Sequence, residues 1–310
     1  MNFFFPNTKT IARWAVMSSL LVVSAPLNMA FAGNKAEAQS TPSPALWKLT
    51  DEDSEIYLFG TIHILNPDLD WRSAQVDIAF GAAETVIFEA PADASNPDAT
   101  QALVVKYGLN PAGTTLSSLL SPSSNQQLAT ILTQYGMDGA AANFEPLRPW
   151  FVGVALAALQ IQALGGDPSA GVERILGAEA AATGKKVGYF ESDEQQMQIL
   201  SGLSPQAEVF FLEEGLRQAI DDPDQILQLV QAWRIGDQAA INDILVTGMA
   251  GQNEVMEALL TRRNFDWAQQ IETLMRGSGT VFIAVGAAHL VGRQSVQVYL
   301  SEKGIKAVRQ

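Results

Sequence analysis

A chain of 310 residues, 47% hydrophobic and 17% charged, has the composition of a folded soluble protein with material for one large domain or two smaller ones. Its net charge of −14 argues against binding a phosphate backbone, so nucleic acid is not expected as a partner. The absence of cysteine excludes disulfides, thiolate chemistry and cysteine zinc sites, leaving the apolar core to hold the fold.

At the N-terminus, Lys9 and Arg13 precede an apolar stretch from Ala15 to Val23, and Ala30-Phe31-Ala32 follows. This order is that of a secretory signal with its cleavage site, so residues 1–32 are expected to be removed and the mature chain to be periplasmic or secreted. The stretch is short and broken by Ser24 and Pro26, which argues against a retained anchor. No later segment is apolar over the length of a membrane span, so no integral membrane segment is expected after cleavage. Removal takes away Lys9 and Arg13 and no acid, which moves the charge from −14 to −16. Residues 33–45, rich in Ala, Ser, Pro and Gln, read as a flexible leader, and residues 46–310 as the folded domain.

Leu46–Thr50 and Ile56–Gly60 flank a polar turn and predict a β-hairpin, whose second strand delivers His63 just past its end. Asp70 or Ser73 then caps a helix running to Ala82, and Thr85–Glu89 reads as a strand ending in a carboxylate. From Pro97 to Ala182 the periodicity is helical and broken by prolines and glycines, predicting four or five helices, one of them a long apolar helix over Trp150–Leu164. Lys186–Glu191 is a further strand ending in a carboxylate, after which Ser192 and Gln195 form a capping-box pattern. A second helical block spans Pro205–Met275. Thr280–Val285 then forms a strand that leads to His289, followed by a helix over Ser295–Lys303 and a short strand at Ile305–Val308.

The chain has two histidines, and each stands three residues after a glycine that ends an apolar run: Gly60-Thr61-Ile62-His63 and Gly286-Ala287-Ala288-His289. Four predicted strand ends thus carry His63, Glu89, Glu191 and His289. In open α/β sheets, sites form beyond the carboxyl ends of the strands, so parallel neighbours would bring these groups together. Two imidazoles with one or two carboxylates suit Zn²⁺, Mn²⁺, Co²⁺ or Fe²⁺. The alternative is that the histidines are hydrogen-bonded turn residues and the glutamates helix-terminal or solvated charges. Groups at strand ends are held by the sheet behind them, so replacing either histidine is expected to cost the fold little. Serine-hydrolase elbows, His-Glu-x-x-His, phosphate loops and dinucleotide fingerprints are absent.

The paired Gly-x-x-His motifs resemble the TraB/GumN/TIKI family. Further stretches agree: Val86-Ile87-Phe88-Glu89, Leu147-Arg148-Pro149-Trp150, Gly171-Val172-Glu173, Glu191 to Gln195, Trp233-Arg234 with Gly236-Asp237, and Arg262-Arg263-Asn264 with Trp267-Ala268. The sequence departs from the family pattern at Glu173, where Asp is usual, and at Phe190-Glu191-Ser192, where Leu-Glu-Thr is usual. The resemblance runs from Trp47 to Leu300 and implies one α/β domain, similar to erythromycin-esterase and ChaN-like proteins. Its central, mostly parallel sheet would be flanked by helices and carry large helical insertions. Animal TIKI members are metal-dependent proteases acting on secreted Wnt ligands, whereas bacterial members bear names from polysaccharide synthesis and pheromone shutdown.

Carried onto this sequence, the resemblance implies His63 and His289 as metal ligands and Glu89 as a ligand or general base. Glu191 is the base if Glu89 is a ligand, and Arg263 and Asn264 orient substrate or stabilise an oxyanion. The implied cofactor is a divalent transition metal (Mn, Co or Zn), and the implied activity is an exported metal-dependent hydrolase, a metalloprotease acting on a peptide or protein substrate. A non-catalytic binder of a peptide or glycan is the alternative.

Overall fold

In the computed structural model, which describes residues 41–91, 97–249 and 251–310, the strands are β1 (Leu46–Thr50), β2 (Ser54–Thr61), β3 (Thr85–Phe88), β4 (Lys186–Tyr189), β5 (Gly279–Gly286) and β6 (Val308–Arg309). They form one sheet in the order β4-β3-β5-β2-β1-β6. The expected signal sequence, residues 1–32, and most of the expected leader lie outside the described residues. The four strands expected to carry the site run parallel: β2 with β5, β5 with β3, and β3 with β4. The hairpin partner β1 and the terminal β6 are antiparallel. The chain is thus α/β with a mostly parallel sheet.

The central strands are apolar on both faces because both are covered. Along β2, Tyr57 and Phe59 face one core while Ile56 and Leu58 face the other; along β5, Phe282 and Ala284 oppose Ile283 and Val285 in the same way. On the first face, Trp71, Phe80 and Trp233 pack around Phe59 and Phe282. On the second, the helices Arg262–Met275 and Val296–Glu302 supply Trp267, Ile271, Val296 and Leu300. A third core lies within the helical section, where Trp150, Phe151 and Leu156 of the helix Pro149–Ala163 meet Leu212 and Leu216 of the helix Pro205–Asp221.

Local signals set the boundaries. Ser73 caps Ala74–Ala82 by accepting from the Val76 N–H, and Ser192 with Gln195 completes the capping box of Asp193–Ser201. Between residues 97 and 182, the described residues hold six α-helical segments rather than four or five. The surplus is the single turns Leu116–Leu119 and Ala141–Phe144, which occupy the stretches between the breaks. The last strand is Val308–Arg309 rather than Ile305–Val308. Its place is fixed by pairing with Trp47 and Lys48 of β1 instead of by its own apolar content.

Candidate active site

Because β2 to β5 are parallel and in register, their carboxyl ends share one edge, with Gly286 opposite Thr61 and Ala284 opposite Phe88. Beyond this edge come His63, Glu89 and Glu191, while His289 sits in the 3₁₀ turn Ala287–Leu290 that follows β5. The two Gly-x-x-His turns are packed against each other: a Cβ on Gly60 would stand 3.2 Å from the Ala287 Cα. The Gly60 carbonyl accepts from the Trp233 indole N–H at 2.7 Å, which ties the first turn to the aromatic core. A Cβ on Gly286 would stand 3.0 Å from Glu89 Oε1, 3.6 Å from His289 Cδ2 and 3.8 Å from His63 Nε2. The bare backbone of Gly286 is therefore the point around which both imidazoles and Glu89 gather.

His289 is enclosed, with its side chain 5% exposed. Its ring lies against the Trp267 indole at a centroid distance of 4.3 Å. Nε2 faces Arg263 Nη1 at 3.1 Å, and Nδ1 faces Asn264 Oδ1 at 2.5 Å. A guanidinium can only donate, so Nε2 accepts and the proton is on Nδ1, which donates to Asn264. The Asn264 amide is oriented in turn, since its Nδ2 donates to the Gln294 carbonyl at 2.7 Å.

Arg263 is the centre of a buried charge network. Nε donates to Glu191 Oε1 at 2.7 Å, Nη2 to Glu89 Oε2 at 2.7 Å and Glu191 Oε2 at 2.9 Å, and Nη1 to the Leu259 carbonyl at 2.9 Å as well as to His289. These contacts use all five N–H groups of the guanidinium. Glu89 Oε1 accepts from the Gly286 N–H at 2.6 Å and lies 3.5 Å from His289 Nε2, while Oε2 also accepts from Gln196 Nε2 at 3.3 Å. Glu191 Oε1 additionally accepts from the Trp267 indole at 3.1 Å.

His63 differs from His289 in every respect but its motif. Its side chain is 66% exposed, and its Nδ1 lies 2.8 Å from Oε1 of Glu173, a residue in the first turn of the helix Val172–Ala182. The same oxygen accepts from the Thr61 hydroxyl, while Glu173 Oε2 is buried without a hydrogen-bond partner among the described residues. The helix start docks on the turn through Val172 N–H to the Ile62 carbonyl at 3.1 Å. Gly171 is obligatory here, because a Cβ would fall 2.1 Å from the His63 carbonyl oxygen.

The electrostatics follow from this geometry. Burial pushes His289 down to about 3, with Arg263 adding to the effect and Glu89 opposing it, so His289 is neutral at ordinary pH. Burial alone would raise Glu89, but the positive charge facing it holds the carboxyl below its ordinary value; with His289 neutral, that charge is chiefly Arg263. Glu173 raises His63 to about 9, and because the ring is mostly exposed, solvent screens part of that attraction.

Of the residues singled out from the sequence, His63, Glu89 and His289 gather at Gly286, and Glu191, Arg263 and Asn264 join them through Glu89 and His289. Arg263, Asn264 and Glu191 spend their polar groups within the protein. Arg263 has no N–H left for a substrate, Asn264 is 1% exposed, and both Glu191 oxygens hold Arg263. In this arrangement they orient the site. The expectation that replacing either histidine costs the fold little is compatible with the exposure of His63, whereas His289 is part of a buried network. The sequence does not single out Gln196, and it marks Glu173 only within the Gly171-Val172-Glu173 motif, with no role, because its link to His63 comes from packing of the helix Val172–Ala182 on the first turn.

The donor chemistry fits the metal that the resemblance implies. Each ring has Nδ1 against a side-chain oxygen, and Glu89 Oε1 stands at Gly286 with His63 Nε2 and 3.5 Å from His289 Nε2. Among the described residues, no group of three such side chains is spaced to hold an ion as it stands. The geometry gives the reason: Arg263 bridges His289 Nε2 and Glu89 Oε2, and an ion would take His289 only after that hydrogen bond is given up. Beside Glu191 and Arg263 opens a cleft of about 380 Å³, walled by Phe190 and Trp267 and lined by Gln195 and Gln198.

Residues 45–309 match the sequence model of the TraB/PrgY/gumN family, which is nearly the whole chain. Comparison with curated proteins and with solved structures gives no match. No helix among the described residues is long and apolar enough to cross a membrane.

Proposed function

Because the chain belongs to the TraB/PrgY/gumN family and its two Gly-x-x-His turns meet at Glu89, we propose that it is a metal-dependent hydrolase cleaving a peptide bond. His63, His289 and Glu89 would hold a divalent transition metal, Zn, Mn or Co. The observation that carries this reading is the convergence of the two rings on Glu89: an oxygen lies against each Nδ1, His63 Nε2 and Glu89 Oε1 stand at Gly286, and His289 Nε2 lies 3.5 Å from the same Glu89 oxygen. A bound metal would supply Lewis acidity and lower the pKa of a coordinated water.

The protein's own groups have separable tasks. Asn264 keeps the His289 lone pair on Nε2, and burial keeps that ring neutral. Glu89, ionised and placed between the two rings, acts in this reading as a ligand. Glu191 retains Arg263 when Glu89 is engaged elsewhere, since two of the five guanidinium contacts are to Glu191 alone. The exposed face of His63 is the side open to solvent and to an incoming chain. The order of charges, apolar stretch and Ala-x-Ala at the N-terminus supports action outside the cytoplasm after cleavage at Ala32.

The test is elemental analysis of untagged protein purified without chelator, together with hydrolysis of a mixed peptide library before and after chelation. About one equivalent of transition metal and chelator-sensitive cleavage are expected. Protein that takes up no transition metal and leaves every peptide intact sinks the reading, and N-terminal sequencing that finds Met1 on exported protein sinks the cleavage.

A further inference from the structure

We propose that Glu173 is the positioning residue of His63, fixing the ring with Nδ1–H toward the helix Val172–Ala182 and Nε2 toward the Gly286 centre. This rests on reading His63 as a working residue of the site. The two histidines face the same need by different means. His289 is clasped by Trp267, Arg263 and Asn264 and has no room to turn. His63 stands 66% exposed, and among the described residues the polar side chain that holds it is Glu173, at 2.8 Å. An exposed imidazole with a single anchor loses both its rotamer and its tautomer when that anchor goes, because free rings sample several staggered orientations and exchange their proton with water.

Three features show that Glu173 is built for this contact. Its carboxylate is 13% exposed although it serves a ring in solvent, so the acceptor is rigid where the donor is not. One oxygen accepts from the Thr61 hydroxyl and lies 2.8 Å from His63 Nδ1, so it stands between the turn and the ring. The other oxygen is buried with no hydrogen-bond partner among the described residues, a cost that packing alone would not favour. The contact between the two segments is closed by backbone: Val172 N–H meets the Ile62 carbonyl, and Gly171 clears space for the His63 carbonyl. A carboxylate behind the outer nitrogen of a metal-binding imidazole fixes the ring's tautomer and orientation, and loss of such a partner typically weakens metal binding 10–100-fold.

The test compares Glu173→Leu, which fills the buried space without an acceptor, with Glu173→Gln, which keeps one. Imidazole ¹H–¹⁵N correlation spectra recorded above the titration of His63 report which nitrogen carries the proton. We expect Nδ1–H in the wild type and in Glu173→Gln, and a shift to the Nε2–H form in Glu173→Leu. Zinc affinity measured by calorimetry should fall about 10–100-fold in Glu173→Leu and stay near wild type in Glu173→Gln. An unchanged tautomer and unchanged zinc affinity in Glu173→Leu overturn the proposal. An Nε2–H tautomer in the wild type overturns it too, whether or not the leucine variant folds. Wild-type protein that binds no zinc counts against the hydrolase reading, while the spectra still decide the role of Glu173.

Discussion

Arg263 Nη1 donates to His289 Nε2 across 3.1 Å, and that contact places a positive charge where a metal would bind. The guanidinium neutralises Glu89 and Glu191 in the ion-free protein and competes with any ion for His289. Arg263→Met should therefore act in opposite directions on two quantities. Ion-free stability should fall by about 3–5 kcal/mol, because two buried carboxylates lose their partner. The thermal shift on adding Zn²⁺ or Mn²⁺ should become larger than in wild type, because the ion replaces the missing charge. Melting curves with chelator and with added metal check both signs; a smaller shift in the variant refutes the competition.

Burial separates the two histidines in their effect on stability. His63→Ala removes an exposed ring and should change the ion-free melting free energy by no more than about 0.5 kcal/mol. His289→Ala leaves Asn264 and Arg263 short of a partner inside the protein and should cost about 2–4 kcal/mol. Both should abolish metal binding. Chemical denaturation in the presence of chelator supplies the comparison, and equal losses for the two variants would contradict it.

The pH dependence of stability has a definite sign. The folded pKa of His289, about 3, lies below its ordinary 6.5, so the unfolded chain takes up a proton that the folded one refuses. Its stabilisation is full above about pH 6.5 and declines as pH falls toward 3, at up to about 1.4 kcal/mol per pH unit. Glu89, lowered from 4.5 to about 2, adds a loss of the same sign at more acid pH. His63 works the other way: raised from 6.5 to about 9, it stabilises below pH 6.5 and loses that contribution as pH rises through 9, weakly because solvent screens it. Ion-free stability measured from pH 4.5 to 6.5 should rise more steeply in wild type than in His289→Gln.

Two glycines discriminate between site and scaffold. Gly286 has φ −52°, which any residue adopts, so Gly286→Ala should fold with a loss of about 1 kcal/mol or less. Its methyl would nonetheless stand among Glu89, His289 and His63 and should remove metal binding. Gly171→Ala drives a methyl into the His63 carbonyl and should cost about 1–3 kcal/mol, because backbone must move to admit it. Paired melts and metal titrations of the two variants check this; a Gly286→Ala protein with normal affinity would remove Gly286 from the centre of the site.

Much of the scaffold was legible because burial on both faces writes a strand as a continuous apolar run, as in β2 and β5, and because Ser73 and Ser192 announce their helices. The convergence of His63, Glu89, Glu191 and His289 was legible for the same reason: each ends such a run. Which side chain faces which was not. Arg263 and Asn264 read as groups free to meet a substrate, since sequence does not reveal that every N–H of Arg263 has an internal acceptor. Glu173 read as a mild departure, because its link to His63 runs across 110 residues from a helix whose own pattern carries no chemistry. The short β6 was misplaced since a two-residue strand owes its position to β1 alone.

The sheet order carries a further consequence for how the molecule comes into being. β2 and β3 do not pair with each other; each pairs with β5, which arrives near the far end of the chain. Until residues 279–286 are made, the nascent protein has a gap in the middle of its sheet and no ladder joining the strand that leads to His63 to the strand that leads to Glu89. Closing it requires contacts of very large sequence separation, which folds slowly and leaves two unpaired edges exposed during synthesis. A chain truncated before Gly279 would lose the strand that unites its two halves, whereas one shortened only at Val308–Arg309 would lose an outer edge.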